Sequence, residues 1–288
     1  MLWQHATGAL ALDRPRIVGI VNVTPDSFSD GGRLRTPDDV LRHVERLVTE
    51  GADVIDIGGE STRPQGARPV DLDEELRRVI PAVQLVAAEF PGIPISVDTV
   101  KADVAARALA AGASIVNDVS GFRLDPDIAA VCARSKAGVV LMHSRGDVAD
   151  MATFAHADYG EDPVGEVTAE LMRGVQHALE TGVGPTHIVI DPGIGFSKRG
   201  EQSLTMLREL NRFAQLGFPV LVGVSRKRFI GEITKASSPA DRAAGTAGAN
   251  VVALERGARL FRVHDVKPSR DALDVAWAIM QSGPMNSV

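Results

Sequence analysis

The chain has one cysteine among 288 residues, and it lacks both a basic excess and a long apolar run. A single thiol, Cys132, permits neither an internal disulfide nor a cysteine zinc cluster, and its surroundings, "IAAVCARSKA", favour a buried structural thiol over a reactive one. The net charge of −6 argues against a nucleic-acid surface. No apolar run reaches membrane-spanning length, and the N-terminus has no signal-peptide pattern. These absences favour a soluble cytoplasmic protein that binds neither nucleic acid nor membrane.

Short segments rich in β-branched residues recur along the chain, and segments with helical periodicity separate them. The candidate strands are 16–23, 52–59, 94–99, 114–120, 138–144, 187–193, 219–225 and 259–265, and the clearest candidate helices are 38–51, 73–90, 101–112 and 203–217. Strands that are apolar on both faces are typical of a parallel sheet covered by helices. The pattern predicts a single-domain (β/α)8 TIM barrel over residues 1–288, with a lead at 1–15 and a tail at 283–288. A doubly wound sheet is the weaker alternative.

Polar residues stand near the C-terminal ends of the candidate strands, where a barrel gathers its loops on one face. They are Asn22, Asp56, Asp98, Asn117, His143, Asp191, Ser225, and Arg262 with His264. Bonding to loop amides would explain Asp56 or His143 as well as a function would. Asp98, Asn117 and Asp191 together indicate a binding site.

Cationic residues concentrate at the same ends of the strands. Arg226, Lys227 and Arg228 follow the seventh strand, Arg262 and His264 lie on the eighth, and Arg63 follows the second. A solvated charge run explains Arg226 and Arg228 without a function, whereas Lys227 is expected to project beside Asp98 and Asp191. Arginine suits phosphate groups, and carboxylates suit the N–H groups of a heterocycle. The constellation predicts a heterocyclic substrate that carries a phosphate ester.

Seven motifs, in this order over residues 16–266, resemble those of the dihydropteroate synthase family of folate biosynthesis: "NVTPDSFSDGG", "GGESTRPQG", "SVDT", "NDVSG", "DPGIGFSK", "GVSRKRFIG" and "RVHDV". The resemblance implies a barrel, usually dimeric, that acts as a transferase. It would join 6-hydroxymethyl-7,8-dihydropterin pyrophosphate to 4-aminobenzoate with Mg²⁺, releasing pyrophosphate, and sulfonamides would inhibit it. The helix expected near 243–257 is a plausible dimer interface.

Matching the motifs residue by residue, the resemblance implies three sets of contacts. The pterin would contact Asp98, Asn117, Met142, Asp191, Gly223 and Lys227. The pyrophosphate would contact Asn22, Arg63, Arg262 and His264, and Asn22 would also touch Mg²⁺. The aminobenzoate would contact Phe28, Thr62, Pro64, Phe196, Ser225 and Lys227.

The implied chemistry is dissociative: the pterin methylene loses pyrophosphate, and the aryl amine attacks the resulting cation. The residues implied to take part are Asn22, Asp30, Arg63, Lys227, Arg262 and His264. The polar loop that follows Asn22, with the loop at 61–68, is expected to act as a lid that closes after the pyrophosphate binds. No covalent nucleophile is required, in keeping with the absence of a GxSxG motif.

Two alternatives stay open at this point. A pterin-dependent methyltransferase on the same barrel would present methyltetrahydrofolate to a corrinoid protein, and it would need neither the "STRP" loop nor the cations for pyrophosphate. A non-catalytic pterin-binding paralogue would keep the pocket for a regulatory purpose.

Overall fold

A computed structural model describes residues 1–24, 36–60 and 69–282. Its strands are β1 (Leu2–His5), β2 (Gly8–Ala11), β3 (Arg16–Asn22), β4 (Val54–Gly58), β5 (Ile95–Asp98), β6 (Ile115–Asp118), β7 (Gly138–Met142), β8 (Ile188–Asp191), β9 (Val220–Val222) and β10 (Ala258–Val263). The strands β3 to β10 pair in parallel and close into a barrel as β3 meets β10. The predicted (β/α)8 barrel is confirmed, and the doubly wound sheet is wrong because an open sheet would leave both edge strands unpaired.

Helices cover the outside of the barrel. They are α1 (Pro37–Thr49), α2 (Leu72–Glu89), α3 (Ala102–Ala110), α4 (Asp127–Ser135), α5 (Pro163–Glu180), α6 (Gly200–Arg208), α7 (Asn211–Ala214), α8 (Arg228–Thr234), α9 (Ala243–Glu255) and α10 (Val266–Gln281), with 3-10 turns at Pro185–His187 and Pro239–Arg242. Within the described part of the chain, no helix has the length and apolar character needed to cross a membrane.

The start of α1 illustrates how local sequence fixes a helix. Thr36 and Asp39 form a reciprocal capping box, and Pro37 occupies the first helical position, where its missing N–H costs nothing. Val40, Val44 and Leu47 recur at helical spacing and are buried against the barrel. Cys132 is likewise buried in α4, and its burial raises the pKa of the thiol to about 12, which confirms the predicted structural role.

The predicted continuous helix over 203–217 is wrong, because the structure has α6 and α7 in its place. The chain leaves α-helical geometry at Glu209, and the Leu210 amide bonds the carbonyl of Leu207 three residues back. The tighter turn lets both Leu210 and Phe213 point into the core, where they are fully buried. Packing therefore overrides the local helical periodicity here.

Residues 1–15, expected to be a plain lead, contain a β-hairpin that covers the N-terminal end of the barrel. Strands β1 and β2 pair antiparallel, and Trp3 packs on interior residues of the barrel such as Val18, Val140 and Leu260. The Trp3 indole N–H donates to the carbonyl of His187 at 2.8 Å. The hairpin thus closes the end opposite the polar strand ends.

Trp3→Ala should lower the free energy of unfolding by about 3–5 kcal/mol, because it removes a buried aromatic side chain from a packed interior. Urea denaturation followed by circular dichroism measures the loss. Trp3 is 1% exposed and its neighbour Leu2 is 56% exposed, so Leu2→Ala is a matched control that should cost less than about 0.5 kcal/mol. Equal losses for the two variants would show that the hairpin does not stabilise the barrel.

Candidate active site

Polar side chains at the C-terminal ends of neighbouring strands lie in one layer of the barrel. In the parallel register Asn22 aligns with Gly58, Gly58 with Asp98, and Asp98 with Asn117. Residues aligned in adjacent parallel strands project to the same side of the sheet. Asn22, Asp98 and Asn117 therefore share one space, as the sequence predicts.

Arg262 on β10 joins two of the acidic residues. Its Nε donates to Asp56 Oδ2 and its Nη2 to Asp98 Oδ2, both at 2.6 Å. Asn117 Nδ2 donates to the same oxygen of Asp56 at 3.2 Å. Asp56 is fully buried, and its Oδ1 has no hydrogen-bond partner among the described residues. Asp56 thus anchors Arg262 and Asn117, and the structural reading of this residue is the better supported one.

Burial raises the pKa of Asp98 to about 7, while the Arg262 guanidinium opposes the rise and Asp56 adds to it. The 2.6 Å contact with Arg262 favours the ionised form of Asp98. Asp98 is predicted to bind the pterin, and Arg262 is predicted to bind the pyrophosphate. The structure brings these two residues into one ion pair.

Asp191 ends β8 and is held by the turn that follows it. Its Oδ1 accepts from the Gly193 amide at 2.7 Å. Gly193 has φ 66°, and a Cβ there would lie 1.9 Å from the carbonyl oxygen of His143, so only glycine fits. The second oxygen, Oδ2, lies 3.8 Å from the place a Cβ on Gly223 would occupy, so that glycine keeps the space beside Oδ2 clear. Burial raises the pKa of Asp191 to about 6 against the opposing Gly193 hydrogen bond and the charge of Lys227.

Lys227 lies across the same turn from Asp191. Its Nζ stands 3.8 Å from the centroid of the Phe196 ring, a cation–π contact. Phe196 packs with Met142 and Met151 in a small apolar cluster at this end of the barrel. Burial lowers the pKa of Lys227 to about 8, and the charge of Asp191 opposes that fall. A cation, an aromatic wall and a carboxylate thus meet beside Met142.

Ser225 and His264 form a pair on the next two strand ends. Ser225 Oγ lies 3.0 Å from His264 Nδ1 and accepts from the His264 amide at 3.1 Å. The adjacent Arg226 donates to both oxygens of Asp265, at 2.8 and 2.6 Å, and the exposed Arg228 stacks on Phe154. The exposed Arg228 fits the predicted solvated charge run, whereas Arg226 does not, because its side chain is only 12% exposed and is held in an ion pair with Asp265.

Residues 18–264 match a family described as pterin binding enzymes. The chain is 46% identical over 266 residues to the dihydropteroate synthase of Synechocystis sp., and the aligned region covers 92% of this chain and 90% of that protein. It is similar to the solved structure of the Xanthomonas albilineans enzyme with 4-aminobenzoic acid, with TM-score 0.87, 46% identity and 96% of each chain covered. It is also similar to the Yersinia pestis enzyme in a sulfonamide drug complex, with TM-score 0.91 and 36% identity over 98% of this chain and 100% of that one.

The chain belongs to the dihydropteroate synthase family of pterin-binding enzymes. The predicted family and the predicted transferase class are therefore confirmed. The roles of individual residues stay predictions. Five of the predicted site residues lie outside the described residues: Phe28, Asp30, Thr62, Arg63 and Pro64. Most of the two loops that carry them also lies outside the described residues.

A buried polar network, not predicted from the sequence, lies next to the turn that follows Asp191. Lys198 is 1% exposed and reaches His143, which in turn contacts Glu170. Lys198 stands in the motif "DPGIGFSK" but received no role, and Glu170 and Arg145 received none either. The position of Lys198 beside a glycine-rich turn was a local signal that could have marked it as a candidate site residue. Glu170 has no such signal in the sequence, because only the packing of α5 brings it to His143.

A cavity of about 270 Å³ lies beside α5, between the loops that follow β6 and β7. Of the residues predicted to bind substrate, only Met142 lines it; the cavity is lined chiefly by residues such as Ser120, Arg123, Leu171 and Arg173. Asp98, Asp191 and Lys227 do not line this cavity, which adjoins their group only through Met142.

Arg262→Met should lower the free energy of unfolding, because Asp56 and Asp98 would lose the cation between them. Breaking a buried ion pair costs roughly 3–5 kcal/mol, and the lower end applies because the Arg262 side chain is 21% exposed. Urea denaturation at pH 7.5 measures the loss.

Arg259→Met, on the same strand, is the matched control for Arg262. Arg259 donates to the carbonyl of Ala258 and lies over the ring of Trp277, and it forms no ion pair with a described carboxylate. Adding Asp56→Asn to the Arg262 variant should restore part of its stability. An equal loss for the Arg259 and Arg262 variants, with no recovery, would contradict the importance of the buried pair.

Proposed function

We propose that this protein condenses 6-hydroxymethyl-7,8-dihydropterin pyrophosphate with 4-aminobenzoate, giving 7,8-dihydropteroate and pyrophosphate. One observation carries the proposal: Asp98, Asn117 and Asp191 stand beside Lys227 and Arg262 at the C-terminal end of the barrel. Acceptors for a heterocycle thus adjoin cations for its phosphate ester. The names of the family and of its relatives agree with this substrate chemistry.

The pterin ring has N–H groups that need acceptors and flat faces that need apolar contact. The Asp191 carboxylate accepts from the 2-amino group and the ring N–H, and the Gly193 amide, bonded to Oδ1, fixes its orientation. Asn117 and Asp98 serve the opposite edge of the ring, and Met142 packs on it. Gly223 lies beside Asp191, and a Cβ there would come within van der Waals contact of Asp191 Oδ2, in space that the proposal gives to the pterin.

The pyrophosphate is assigned to Arg262, His264 and Asn22, together with Arg63. Arg262 lies on β10 and Asn22 on the paired strand β3, and His264 directly follows β10. Arg262 is engaged with Asp56 and Asp98, so it already lies at the edge of the pterin site. Its guanidinium keeps further N–H groups with which to bond phosphate oxygens.

Mg²⁺ fits this site only as a companion of the pyrophosphate. Over the described ranges, no group of three or more acidic, histidine or cysteine side chains could hold a metal ion. Asn22 offers one amide oxygen, and Mg²⁺ commonly binds through few protein ligands plus substrate phosphates and water. When bound, the ion would neutralise charge on the leaving group, with Asn22 as its protein ligand.

The reaction needs positioned charge more than a covalent partner. The bond between the pterin methylene and the pyrophosphate oxygen breaks, and its electron pair leaves with the pyrophosphate. Arg262 and His264 stabilise that charge. The amine of 4-aminobenzoate then forms the C–N bond and loses a proton. Cys132, buried and with a pKa raised to about 12, is no candidate nucleophile.

The aminobenzoate lies against Phe196, Ser225 and the stem of Lys227, where the cation–π contact already places the ring and the ammonium together. Phe28, Thr62 and Pro64 complete the pocket from the loops outside the described residues, and Asp30 belongs to the same first loop.

The protein works as a cytoplasmic homodimer. The support for a dimer is a set of exposed apolar side chains on the neighbouring helices α9 and α10: Val252, Val275, Ile279 and Met280. An apolar surface of this kind suits a subunit interface. A lone buried thiol suits a reducing compartment.

Incubating the purified protein with both substrates and Mg²⁺, and detecting 7,8-dihydropteroate by chromatography, tests the function. Product formation supports the synthase. Binding of the pterin without product would instead support the non-catalytic paralogue, and methyl transfer from methyltetrahydrofolate would support the methyltransferase.

Pterin affinity should fall as the pH is lowered through about 6. Only the carboxylate form of Asp191 offers charged acceptors without an O–H that would face the substrate's own donors, and its pKa of about 6 means that it is ionised above that pH and protonated below it. Asp191→Asn should weaken binding at pH 8 tenfold or more, as the loss of charge-assisted hydrogen bonds predicts, and should remove the step in affinity near pH 6, leaving any step near pH 7 that belongs to Asp98.

Calorimetry with the pterin substrate measures these affinities. Asp103→Asn, which alters an exposed aspartate on α3, should leave both the affinity and its pH profile unchanged. Near-normal affinity in the Asp191 variant would remove Asp191 from its assigned role.

Sulfonamides should inhibit competitively with 4-aminobenzoate, because they carry the same aryl amine with a sulfonyl group in place of the carboxylate. Steady-state rates at fixed pterin substrate and varied aminobenzoate measure this. Substitution of Phe28 or Pro64 should weaken the drug more than the substrate, since the larger drug extends past the substrate toward those loops. Inhibition that aminobenzoate cannot overcome would place the drug elsewhere.

A further inference from the structure

Lys198 is a buried lysine whose ammonium is surrounded by acceptors. Its Nζ lies 2.9 Å from His143 Nδ1, 3.1 Å from the carbonyl oxygen of Gly193 and 3.0 Å from that of Phe196. An ammonium has three N–H groups, so each acceptor receives one. A neutral amine has only two. The geometry therefore matches the charged form, although burial lowers the pKa of Lys198 to about 7 against the opposing charge of Asp191.

The contacts of Lys198 also fix the state of His143. Because Nδ1 accepts from the ammonium, the ring proton must be on Nε2, which donates to Glu170 Oε2 at 2.9 Å. Glu170 also accepts from Arg145 Nη2 at 2.5 Å. Burial, with the nearby charge of Lys198, lowers the pKa of His143 to about 3 and keeps it neutral. A line of hydrogen bonds thus joins α5 to the turn after β8.

Both carbonyls that bind Lys198 belong to that turn, over residues 193–196. The amide of Gly193 donates to Asp191 Oδ1, so the position of Gly193 sets the carboxylate. The ring of Phe196 lies under Lys227. One buried cation therefore holds the backbone behind the residue assigned to the pterin and the residue assigned to the aminobenzoate.

We infer that Lys198, anchored by His143, is a positioning residue for the condensation: it holds the 193–196 turn so that Asp191 and Phe196 present both substrates to each other. The inference rests on the proposed function. Lys198 itself touches neither substrate in this assignment; it acts through the backbone of the turn.

Lys198→Met keeps an unbranched side chain only one atom shorter and removes every donor. We expect kcat/KM to fall at least tenfold for both substrates, in protein whose circular dichroism matches the parent. The adjacent Arg199 has an exposed side chain, so Arg199→Met should stay within twofold of the parent. A folded Lys198 variant with kcat/KM within threefold of the parent overturns the inference. A parent protein without synthase activity would instead overturn the proposed function.

A pair of His143 variants tests the same inference if the Lys198 variant fails to fold. In His143→Gln the side-chain oxygen can accept from Lys198 and the amide can donate to Glu170, so kcat/KM should stay within about threefold. His143→Leu can do neither and should lose at least tenfold. Equal kcat/KM in the two variants overturns the inference.

Nitrogen chemical shifts of His143 give a readout that mere stability would not move. The parent should show a neutral ring protonated at Nε2 between pH 6 and 8. In Lys198→Met the Nδ1 signal should shift, because Nδ1 loses the ammonium that donates to it, while burial still keeps the ring neutral. An unchanged His143 signal in the folded variant would show that Lys198 does not hold the ring, contrary to the inference.

Discussion

Pairing of buried charges governs the C-terminal end of this barrel. Arg262 stands between Asp56 and Asp98, and Lys227 stands beside Asp191. A charge buried without its partner costs several kcal/mol, so each of these side chains is held where its counter-ion is. The same pairs leave a surface that offers both acceptors and a cation to a ligand. The local concentration of cations appears in a chain whose net charge is −6, so it reflects the site and not the composition.

The barrel itself could be predicted because its strands are buried on both faces and therefore read as continuous apolar runs. All eight predicted segments contain a strand of the structure, with ends that differ by a few residues. The N-terminal hairpin could not be predicted, because Trp3 owes its place to barrel residues far away in sequence, such as Leu260. The interruption at Glu209 has the same origin, since the burial of Phe213 decides it and no local signal marks it.

The sequence could predict which polar residues stand at the strand ends and form the site, but it could not predict their hydrogen-bond and ion-pair partners. Asn22, Asp98 and Asn117 could be predicted to share one face because the C-terminal ends of parallel barrel strands lie together, whereas the register that aligns them comes from the structure. The ion pair between Arg262 and Asp98 joins residues 164 positions apart, and nothing local announces it. Lys198 has a local signal, its place beside a glycine-rich turn, but its contact with His143, which follows β7, joins residues 55 positions apart and could not be predicted.

The turns after β8 and β9 each contain one residue with left-handed backbone geometry, and this geometry lets the residues on either side of it contact different partners. Ser197 has φ 46° and Arg226 has φ 58°, a left-handed geometry that non-glycine residues rarely adopt. Such strain persists only where neighbouring contacts impose it. The Ser197 amide donates to the carbonyl of Met151 at 2.7 Å, and the Arg226 amide donates to Thr246 Oγ1 at 3.1 Å.

Each left-handed residue separates two side chains that must diverge. Ser197 stands between Phe196, which faces Lys227, and Lys198, which reaches back to His143. Arg226 stands between Ser225, paired with His264, and Lys227, which lies over Phe196. An extended or helical residue at either position would send the flanking side chains in other directions. The strained backbone is therefore what lets two short turns supply three site residues, Phe196, Ser225 and Lys227, and also the Lys198 that supports the first turn from behind.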